Sequence, residues 1–237
     1  MRAVDELSET LRQDGYAFVE GERMRRRLET TGSLADWSAF AATWDDLGPD
    51  PYLALVGRER RRRHGGFAVE PGVARQLPDR AHHQDLEYNP LQGGLQRVFE
   101  PLAPEAAASA SLNTVLLEGA RVFAPLSGAD PRWEVEVHQF RIEARIGRPG
   151  SPTPEGMHRD GVDHVLVLMV ERVNIREGTT SIHANDRRTL GSFTLTEPFD
   201  AALVDDRRAM HAVTAVEAVD PAEPAYRDVL VVTYRLL

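Results

Sequence analysis

The sequence predicts a mostly β fold of the jelly-roll type, with helices packed outside its sheets. Several short strand candidates, separated by turn residues, fill the C-terminal half. Near the start of that half, Trp133, Val135 and Val137 alternate with Glu134 and Glu136, a pattern typical of a half-buried strand. Helical periodicity is confined to the part of the chain before these strands. Many short strands with turns between them favour two packed antiparallel sheets.

The N-terminal elements follow from apolar spacing and turn residues. Residues 3–13 have apolar positions at helical spacing, and Asp14-Gly15 ends this predicted helix. Residues 16–19 read as a strand. Residues 34–47 predict a second helix, with Ser33 as its candidate N-cap.

The rest of the chain supplies one more helix and most of the strands. An alanine-rich stretch over 101–119 predicts a helix that ends at Gly119. We expect a single domain over 1–237, with about residues 1–50 forming helical elements packed on the core. The strand candidates are 133–137, 162–173, 179–182, 189–195, 201–204, 211–216 and 229–236.

A basic run over residues 58–63 has two interpretations. Five of its six residues are arginines, and the sixth is Glu59. The run can form a solvated face, or one or two of its arginines can point into a site and meet a carboxylate. The sequence leaves both interpretations open.

Composition excludes several classes of protein. The 237 residues include no cysteine, which excludes disulfides, thiolate zinc sites, iron–sulfur clusters and cysteine nucleophiles. The chain has no lysine, so it has no Walker-type phosphate loop. A net charge of −9 argues against a nucleic-acid partner. No stretch has the features of a signal peptide or a membrane span, so we expect no membrane association and a cytoplasmic location.

The motif H-x-D followed by a distant histidine carries the most chemistry. His158 and Asp160 are two residues apart, so on an extended strand both side chains point to one face. Gly161 lets the backbone bend after them, and His211 is a candidate third ligand. Two imidazoles and one carboxylate can hold Fe(II) and leave three coordination positions open. The alternative is a histidine and an aspartate that form a salt bridge in a loop.

Two other catalytic motifs fail on spacing. His158-Arg159-Asp160 also resembles the start of a protein-kinase catalytic loop, but Val165 stands where that loop needs asparagine. The chain has no G-x-S-x-G elbow, so a serine hydrolase is not supported.

Several further segments of the chain form a recognisable pattern together with the H-x-D motif. They are PEGMHRDG at 154–161, NIREG at 174–178, MHAVT at 210–214, YRDVLVVT at 226–233, QDLEYNP at 84–90 with Gly93, Gly94 and Arg97, and HQFR at 138–141. Together they resemble the bacterial 2-oxoglutarate/Fe(II) dioxygenases typified by L-isoleucine dioxygenase, which hydroxylate free amino acids. The resemblance covers roughly residues 55–236. One departure is Glu177-Gly178, which replaces an expected Gly-Gly pair in a turn.

This resemblance implies a double-stranded β-helix core and Fe(II) bound by His158, Asp160 and His211. It implies 2-oxoglutarate and O2 as cosubstrates, with Arg227 holding the remote carboxylate of 2-oxoglutarate. Arginine suits that role because its planar guanidinium grips a carboxylate through two parallel hydrogen bonds. The alternatives are that Arg227 is a surface charge paired with Asp228, or that Arg235 on the same strand face binds the carboxylate.

The expected activity is hydroxylation of an unactivated C–H bond of a free L-amino acid, with release of succinate and CO2. Such a small-molecule substrate needs a cation for its carboxylate and an acceptor for its ammonium group. Two alternatives remain: the same chemistry on a larger amino-acid-derived intermediate, and a non-catalytic jelly-roll binding protein. The chain could also form a homo-oligomer. The candidate substrate residues, each of which could instead be structural, are Gln84, Glu87, Asn89 and Arg141.

Overall fold

The computed structural model describes residues 5–55, 58–88, 93–128 and 130–237. The helices are α1 (Glu6–Asp14), α2 (Gly21–Thr31), α3 (Trp37–Ala42) with a 3-10 turn (Thr43–Asp46), α4 (Pro51–Ala54), α5 (Pro104–Ala107) and α6 (Ala110–Ser127). The strands are β1 (Tyr16–Val19), β2 (Arg61–Glu70), β3 (Val73–Gln76), β4 (His82–His83), β5 (Gln96–Arg97), β6 (Trp133–Glu143), β7 (His164–Val173), β8 (Ile175–Glu177), β9 (Thr179–Ala184), β10 (Thr189–Thr194), β11 (Ala201–Asp205), β12 (Ala209–Val213), β13 (Val216–Ala218) and β14 (Tyr226–Leu236).

A seven-stranded antiparallel sheet forms the centre of the fold, in the order β1-β11-β7-β14-β6-β2-β3. Smaller sheets, β10-β9-β12 and β13-β8, accompany it. The mostly β fold with a jelly-roll core predicted from the sequence is confirmed. Within the described ranges, no helix is both long and apolar enough to cross a membrane.

Helices cover one face of the large sheet. Alternate residues of its central strands point toward the helices, as the two-residue period of a strand requires. On β14 these are Leu230, Val232 and Tyr234, and each is fully buried. They belong to one apolar cluster with Leu11 of α1 and Leu28 of α2. The N-terminal helices therefore bury their apolar faces against the sheet.

The opposite face of the large sheet lines a cavity. Phe140 and Ile142 of β6 contribute to the lining, and so do Val229 and Val231 of β14. The cavity has about 1080 Å³ of empty volume, counting its open mouth.

Most predicted N-terminal elements are confirmed, with two differences. Helix α2 was not predicted, because its arginine-rich sequence presents only Met24 and Leu28 as buried apolar side chains. The helix predicted over 34–47 begins later, with Asp36 as the cap of α3. Ser33 accepts a hydrogen bond from the backbone N–H of Ala35 instead, at 3.2 Å.

The end predicted for the alanine-rich helix is wrong. Helix α6 continues through Gly119 to Ser127. A Cβ atom at Gly119 would lie 2.2 Å from the hydroxyl oxygen of Tyr234. The glycine is therefore required by a close approach between α6 and β14, and does not mark a helix terminus.

Candidate active site

His158, Asp160 and His211 come together where the segment before β7 runs beside β12. The backbone N–H of His158 donates to the carbonyl of His211 at 3.0 Å, and the reverse hydrogen bond measures 2.9 Å. This two-residue ladder fixes the two imidazole rings with their centroids 4.4 Å apart. The structure thus brings together all three predicted metal ligands.

The distances between the donor atoms fit a metal ion. Nε2 of His158 lies 3.6 Å from one Asp160 oxygen, and Nε2 of His211 lies 3.7 Å from the other. One ligand atom from each residue falls within 4.8 Å of the others. Metal–ligand bonds of about 2.1 Å place adjacent ligand atoms roughly 3 Å apart, so small side-chain movements suffice. The donor set is nitrogen and oxygen without thiolate, which suits Fe(II).

Hydrogen bonding orients His158 for this role. Its Nδ1 lies 2.9 Å from the carbonyl oxygen of Gly156. Because a carbonyl can only accept, Nδ1 carries the proton and donates it. Nε2 is then directed at the position between the three ligands, which is the usual arrangement for a metal-binding histidine.

The local electrostatics favour a positive charge at this position. Burial disfavours the charged form of His158, but Asp160 and Glu155 outweigh burial and raise the pKa of His158 to about 9. Burial also acts against ionised Asp160, yet His158 and His211 lower the pKa of its carboxyl group. Burial and the nearby His158 lower the pKa of His211 to about 4, which keeps it neutral. A bound metal ion would replace the proton on Nε2 of His158.

Asp206 positions the loop that carries Asp160. Its carboxylate accepts hydrogen bonds from the backbone N–H groups of Asp160, Gly161 and Val162 at 2.9, 2.8 and 3.1 Å. Gly161 has a φ of +78°, so the bend predicted there is present. Asp206 is 1% exposed, and burial and the charge of Asp160 raise its pKa to about 7.

Arg227 is buried on the cavity face of β14. Within the described ranges, its Nε has no hydrogen-bond partner. Burial and the neighbouring Arg172 lower the pKa of Arg227 to about 10. The alternative pairing with Asp228 is not observed. Asp228 points to the other face of the sheet and binds Arg141 through two hydrogen bonds of 2.8 and 2.7 Å.

Arg227 and His211 line one small apolar pocket next to the triad. Its walls include Thr180, Leu195 and Val204. A short diacid that contacted the triad at one end could meet the Arg227 guanidinium at the other. Arg235 also lies on this face of β14, as the strand period predicts, but it donates to the carbonyl of Gly161 at 3.1 Å.

The predicted substrate residues are dispersed. Gln84 lines the cavity and donates from Nε2 to the carbonyl of Asp160 at 3.3 Å. Glu87 is exposed and lies 3.4 Å from Arg159. Arg141 is on the helix-covered face of β6, where it pairs with Asp228 and Asp45. Neither Glu87 nor Arg141 is among the described residues that line the cavity. Asn89 lies outside the described residues.

Two arginines of the basic run, Arg60 and Arg62, line the cavity. Asp50 meets both, with Oδ2 at 2.9 Å from Arg60 and 3.5 Å from Arg62. The interpretation that some arginines of the run point inward and meet a carboxylate therefore applies to these two. Arg61 and Arg63 point to other partners, Glu143 and Asp46. Arg61, Arg62 and Arg63 alternate between the two faces of β2, and Arg60, which directly precedes the strand, lies on the same side as Arg62.

A cluster of His64, His82, Glu136 and His138 lies beside these arginines. His82 Nδ1 is 2.7 Å from Glu136 Oε2, and the ligand atoms of all four residues lie within 4.8 Å of one another. His82 is therefore partly buried in a hydrogen-bonded network, whereas the adjacent His83 is exposed.

Sequence reasoning missed several residues around the triad. Asp206 and Asp50 act through long-range contacts that have no motif, so only the folded chain reveals them. Glu155 stands inside the quoted PEGMHRDG segment, which was the one signal available for it. Its Oε1 lies 3.1 Å from Nε2 of His158.

Comparison with known proteins agrees with this geometry. The family model for the 2OG-Fe dioxygenases matches residues 41–233. A crystal structure of a BsmA homologue from Methylobium petroleophilum PM1 is 36% identical, has a TM-score of 0.86, and covers 97% of this chain and 91% of its own. The 3(1)-hydroxy-L-isoleucine 4-dioxygenase of Pantoea ananatis is 26% identical over 97% of this chain and 95% of its own length.

A further solved structure, IDO from Bacillus thuringiensis, is 16% identical with a TM-score of 0.77, covering 99% of this chain and 100% of its own. At that identity the likeness shows the fold alone. The family match covers most of the chain, and Fe(II), 2-oxoglutarate and O2 are the cofactor and cosubstrates of this family. The chain belongs to the 2OG-Fe dioxygenases, as its sequence motifs predicted.

Proposed function

We propose that this dioxygenase hydroxylates an unactivated C–H bond of a free L-amino acid. The overall reaction converts the amino acid, 2-oxoglutarate and O2 into the hydroxy amino acid, succinate and CO2. The observation that carries the proposal is one cavity lined by His158, Asp160, His211 and Arg227. The 26% identical relative named for a hydroxy-L-isoleucine substrate supports the substrate class.

The roles of the residues follow from their contacts. His158, Asp160 and His211 would hold Fe(II), which with 2-oxoglutarate and O2 supplies the oxidising power for hydroxylation. Arg227 would bind the remote carboxylate of 2-oxoglutarate in the apolar pocket, where a bidentate ion pair is strengthened by burial. Asp206 holds the backbone of the ligand loop and so positions Asp160.

Asp160 bears on the outcome of the reaction. Asp160 would supply the third protein ligand of the iron as a carboxylate, so no ligand position would be left vacant for a halide. Hydroxylation is therefore favoured over halogenation at this site.

A substrate screen tests the proposal. The Fe(II)-loaded protein would be incubated aerobically with 2-oxoglutarate and each of the twenty common L-amino acids. We expect succinate release coupled to the appearance of a product heavier by one oxygen atom for at least one aliphatic amino acid. His211→Ala serves as the inactive control.

Succinate release without any oxygenated amino acid would contradict the proposed substrate. It would favour a larger amino-acid-derived intermediate with the same chemistry.

We also propose that residues 1–237 form one dioxygenase domain. The cytoplasmic location and a homo-oligomeric state stay predictions from the sequence.

A further inference from the structure

The cavity that holds the triad has a strongly basic wall formed by Arg60, Arg62 and Arg97. Arg62 and Arg97 are only 3% and 2% exposed. Asp50 neutralises part of this charge through its contacts with Arg60 and Arg62. Within the described ranges, Nε of Arg60 and Nε of Arg62 have no hydrogen-bond partner. Buried guanidinium groups of this kind are a suitable site for a carboxylate.

Mutual repulsion supports the same conclusion. Burial, followed by the charge of Arg60, lowers the pKa of both Arg62 and Arg97. Asp50, Glu155 and Glu136 offset this only in part for Arg97. An anion bound at the basic wall would relieve the repulsion between these groups.

The neighbouring histidine cluster does not favour a metal cation. Arg62 Nη2 lies 2.7 Å from Nδ1 of His138. Because a guanidinium can only donate, Nδ1 of His138 accepts, and the neutral ring keeps its proton on Nε2. Nε2 of His138 is the atom that faces Glu136, at 3.9 Å. Because this nitrogen carries the proton, it has no lone pair with which to bind a metal ion in the cluster. The cluster thus completes a hydrogen-bonded wall around the arginines.

Glu155 supplies the opposite charge in the same cavity. Its side chain is 12% exposed, and its Oε1 lies 3.1 Å from Nε2 of His158. A metal ion on Nε2 of His158 would take the place of that contact. Within the described ranges, no other ion pair or hydrogen bond of Glu155 is present, so its carboxylate becomes available to a cation on the substrate.

Gln84 connects the basic wall with the triad. Its Oε1 accepts a hydrogen bond from Arg97 at 3.2 Å, and its Nε2 donates to the carbonyl of Asp160 at 3.3 Å. Arg97 is therefore two hydrogen bonds away from a metal-ligand residue. Arg97 and the triad line the same cavity, so a carboxylate held by Arg97 would share that cavity with the reacting centre. The adjoining lining includes Leu53, Phe140 and Ile142, which can accommodate an aliphatic side chain.

We propose that the basic wall of Arg60, Arg62 and Arg97 binds the α-carboxylate of the amino-acid substrate, and that Glu155 accepts its ammonium group. This assignment rests on the proposed function and replaces Arg141 and Glu87, which the fold turns away from the cavity. The site would thereby select α-amino acids as zwitterions. It would discriminate against the amide and amine analogues, which lack the carboxylate, and against the hydroxy acid, which lacks the ammonium group. Both charges are recognised inside one buried cavity, where a mismatch leaves a charged group unpaired.

The test uses binding as well as turnover. The probe is the L-amino acid with the highest turnover in the screen, together with its amine, amide and 2-hydroxy-acid analogues. Dissociation constants would be measured anaerobically by calorimetry on the Fe(II) protein saturated with 2-oxoglutarate. The variants are Arg97→Gln, Arg97→Lys and Glu155→Gln. Arg61→Gln is the matched control, because Arg61 points away from the cavity and pairs with Glu143.

For the wild type, we expect each analogue to bind about 10- to 100-fold more weakly than the amino acid. Arg97→Gln should weaken amino-acid binding by a similar factor and leave amine binding unchanged. Glu155→Gln should weaken amino-acid binding and leave hydroxy-acid binding unchanged. Arg97→Lys should restore part of the loss, and Arg61→Gln should bind every probe like the wild type.

Three results would overturn the inference. In the first, Arg97→Gln weakens the amine as much as the amino acid, which indicates a purely structural role. In the second, Glu155→Gln weakens Fe(II) binding and spares the probes, which makes Glu155 a metal ligand. In the third, the wild type turns over the probe while the variants bind it unchanged. This last result removes the assignment but leaves the proposed function intact, whereas a wild type that neither binds nor oxidises any amino acid refutes both.

Discussion

The two faces of strand β14 differ in what they contribute to the protein. Leu230, Val232 and Tyr234 point toward the helices and are completely buried among apolar side chains. Arg227 and Arg235 are odd-numbered residues of the same strand, so their side chains lie on the opposite face and point into the cavity. The helix-covered face gains stability from apolar burial. The cavity face instead keeps a buried cation whose Nε has no partner among the described residues, a cost that binding of an anion would remove.

The largest effect is expected on the cavity face, at His211. Replacing His211 with alanine removes one of the three proposed metal ligands and should reduce turnover at least about a thousandfold. The protein should remain folded, because His211 lies outside the helix-side core. Turnover and Fe(II) binding measured on the same sample, with circular dichroism as the control, check this. Retention of stoichiometric Fe(II) would remove His211 from the ligand set.

On the helix-covered face, Leu230→Ala should act on stability and spare the chemistry. Leu230 is 0% exposed, and truncating such a side chain costs about 2–5 kcal/mol. Urea unfolding of the variant and the wild type measures the loss. The constants kcat and KM of the fraction that stays folded should be unchanged. If Leu230→Ala had normal stability but poor activity, the assignment of stability to the helix-covered face and of catalysis to the cavity face would be wrong.

Arg227→Met tests the cavity face and leaves the three proposed metal ligands in place. We expect the KM for 2-oxoglutarate to rise about 10- to 100-fold, because a charge-assisted bidentate pair is lost. The KM for the amino acid should change far less. The free energy of unfolding without cosubstrate should stay the same or increase, since the variant no longer buries an uncompensated charge. If Arg227→Met behaves like the wild type, Arg235→Met is the next variant to measure.

His164, at the start of β7, sharpens the comparison through pH. It is buried on Phe123 with an interplanar angle of 7°, and burial lowers its pKa from 6.5 to about 4. The pKa of His164 is lower in the folded state than in the unfolded state. Its contribution to the free energy of unfolding is therefore fully present above pH 6.5 and is lost as the pH falls toward 4. Between pH 7.5 and pH 5 the loss should be on the order of 2 kcal/mol. Urea unfolding of wild type and His164→Phe at both pH values isolates it. Equal pH dependence in the two proteins would contradict this account.

The features that the sequence predicted correctly are those determined by local residue patterns. His158 and Asp160 are two residues apart, so their shared direction follows from the strand period. The fold class followed from the short strands and their turns. His211 was only a candidate third ligand from the sequence, and the role of Arg227 required the family resemblance, because nothing local connects either residue with residue 158.

The remaining residues depend on which face of a strand meets the cavity. Arg141 was expected to bind the substrate. On β6, however, even-numbered residues such as His138 and Phe140 line the cavity, and Arg141 lies on the opposite face, where it donates to Asp45. The basic run could not be divided into Arg60 and Arg62 on one face and Arg61 on the other until the strand's orientation was known. The sequence shows which residues of a strand share a face. Which of the two faces lines the cavity depends on long-range packing, which the sequence does not show.

The most direct test of the account is an anaerobic optical titration of the Fe(II) protein with 2-oxoglutarate. If the three ligands and Arg227 serve one chelated cosubstrate, a weak visible charge-transfer band should grow to a stoichiometry of one 2-oxoglutarate per chain. In Arg227→Met the same band should require much higher 2-oxoglutarate concentrations. A wild-type protein that binds Fe(II) and shows no band at saturating 2-oxoglutarate would contradict the account.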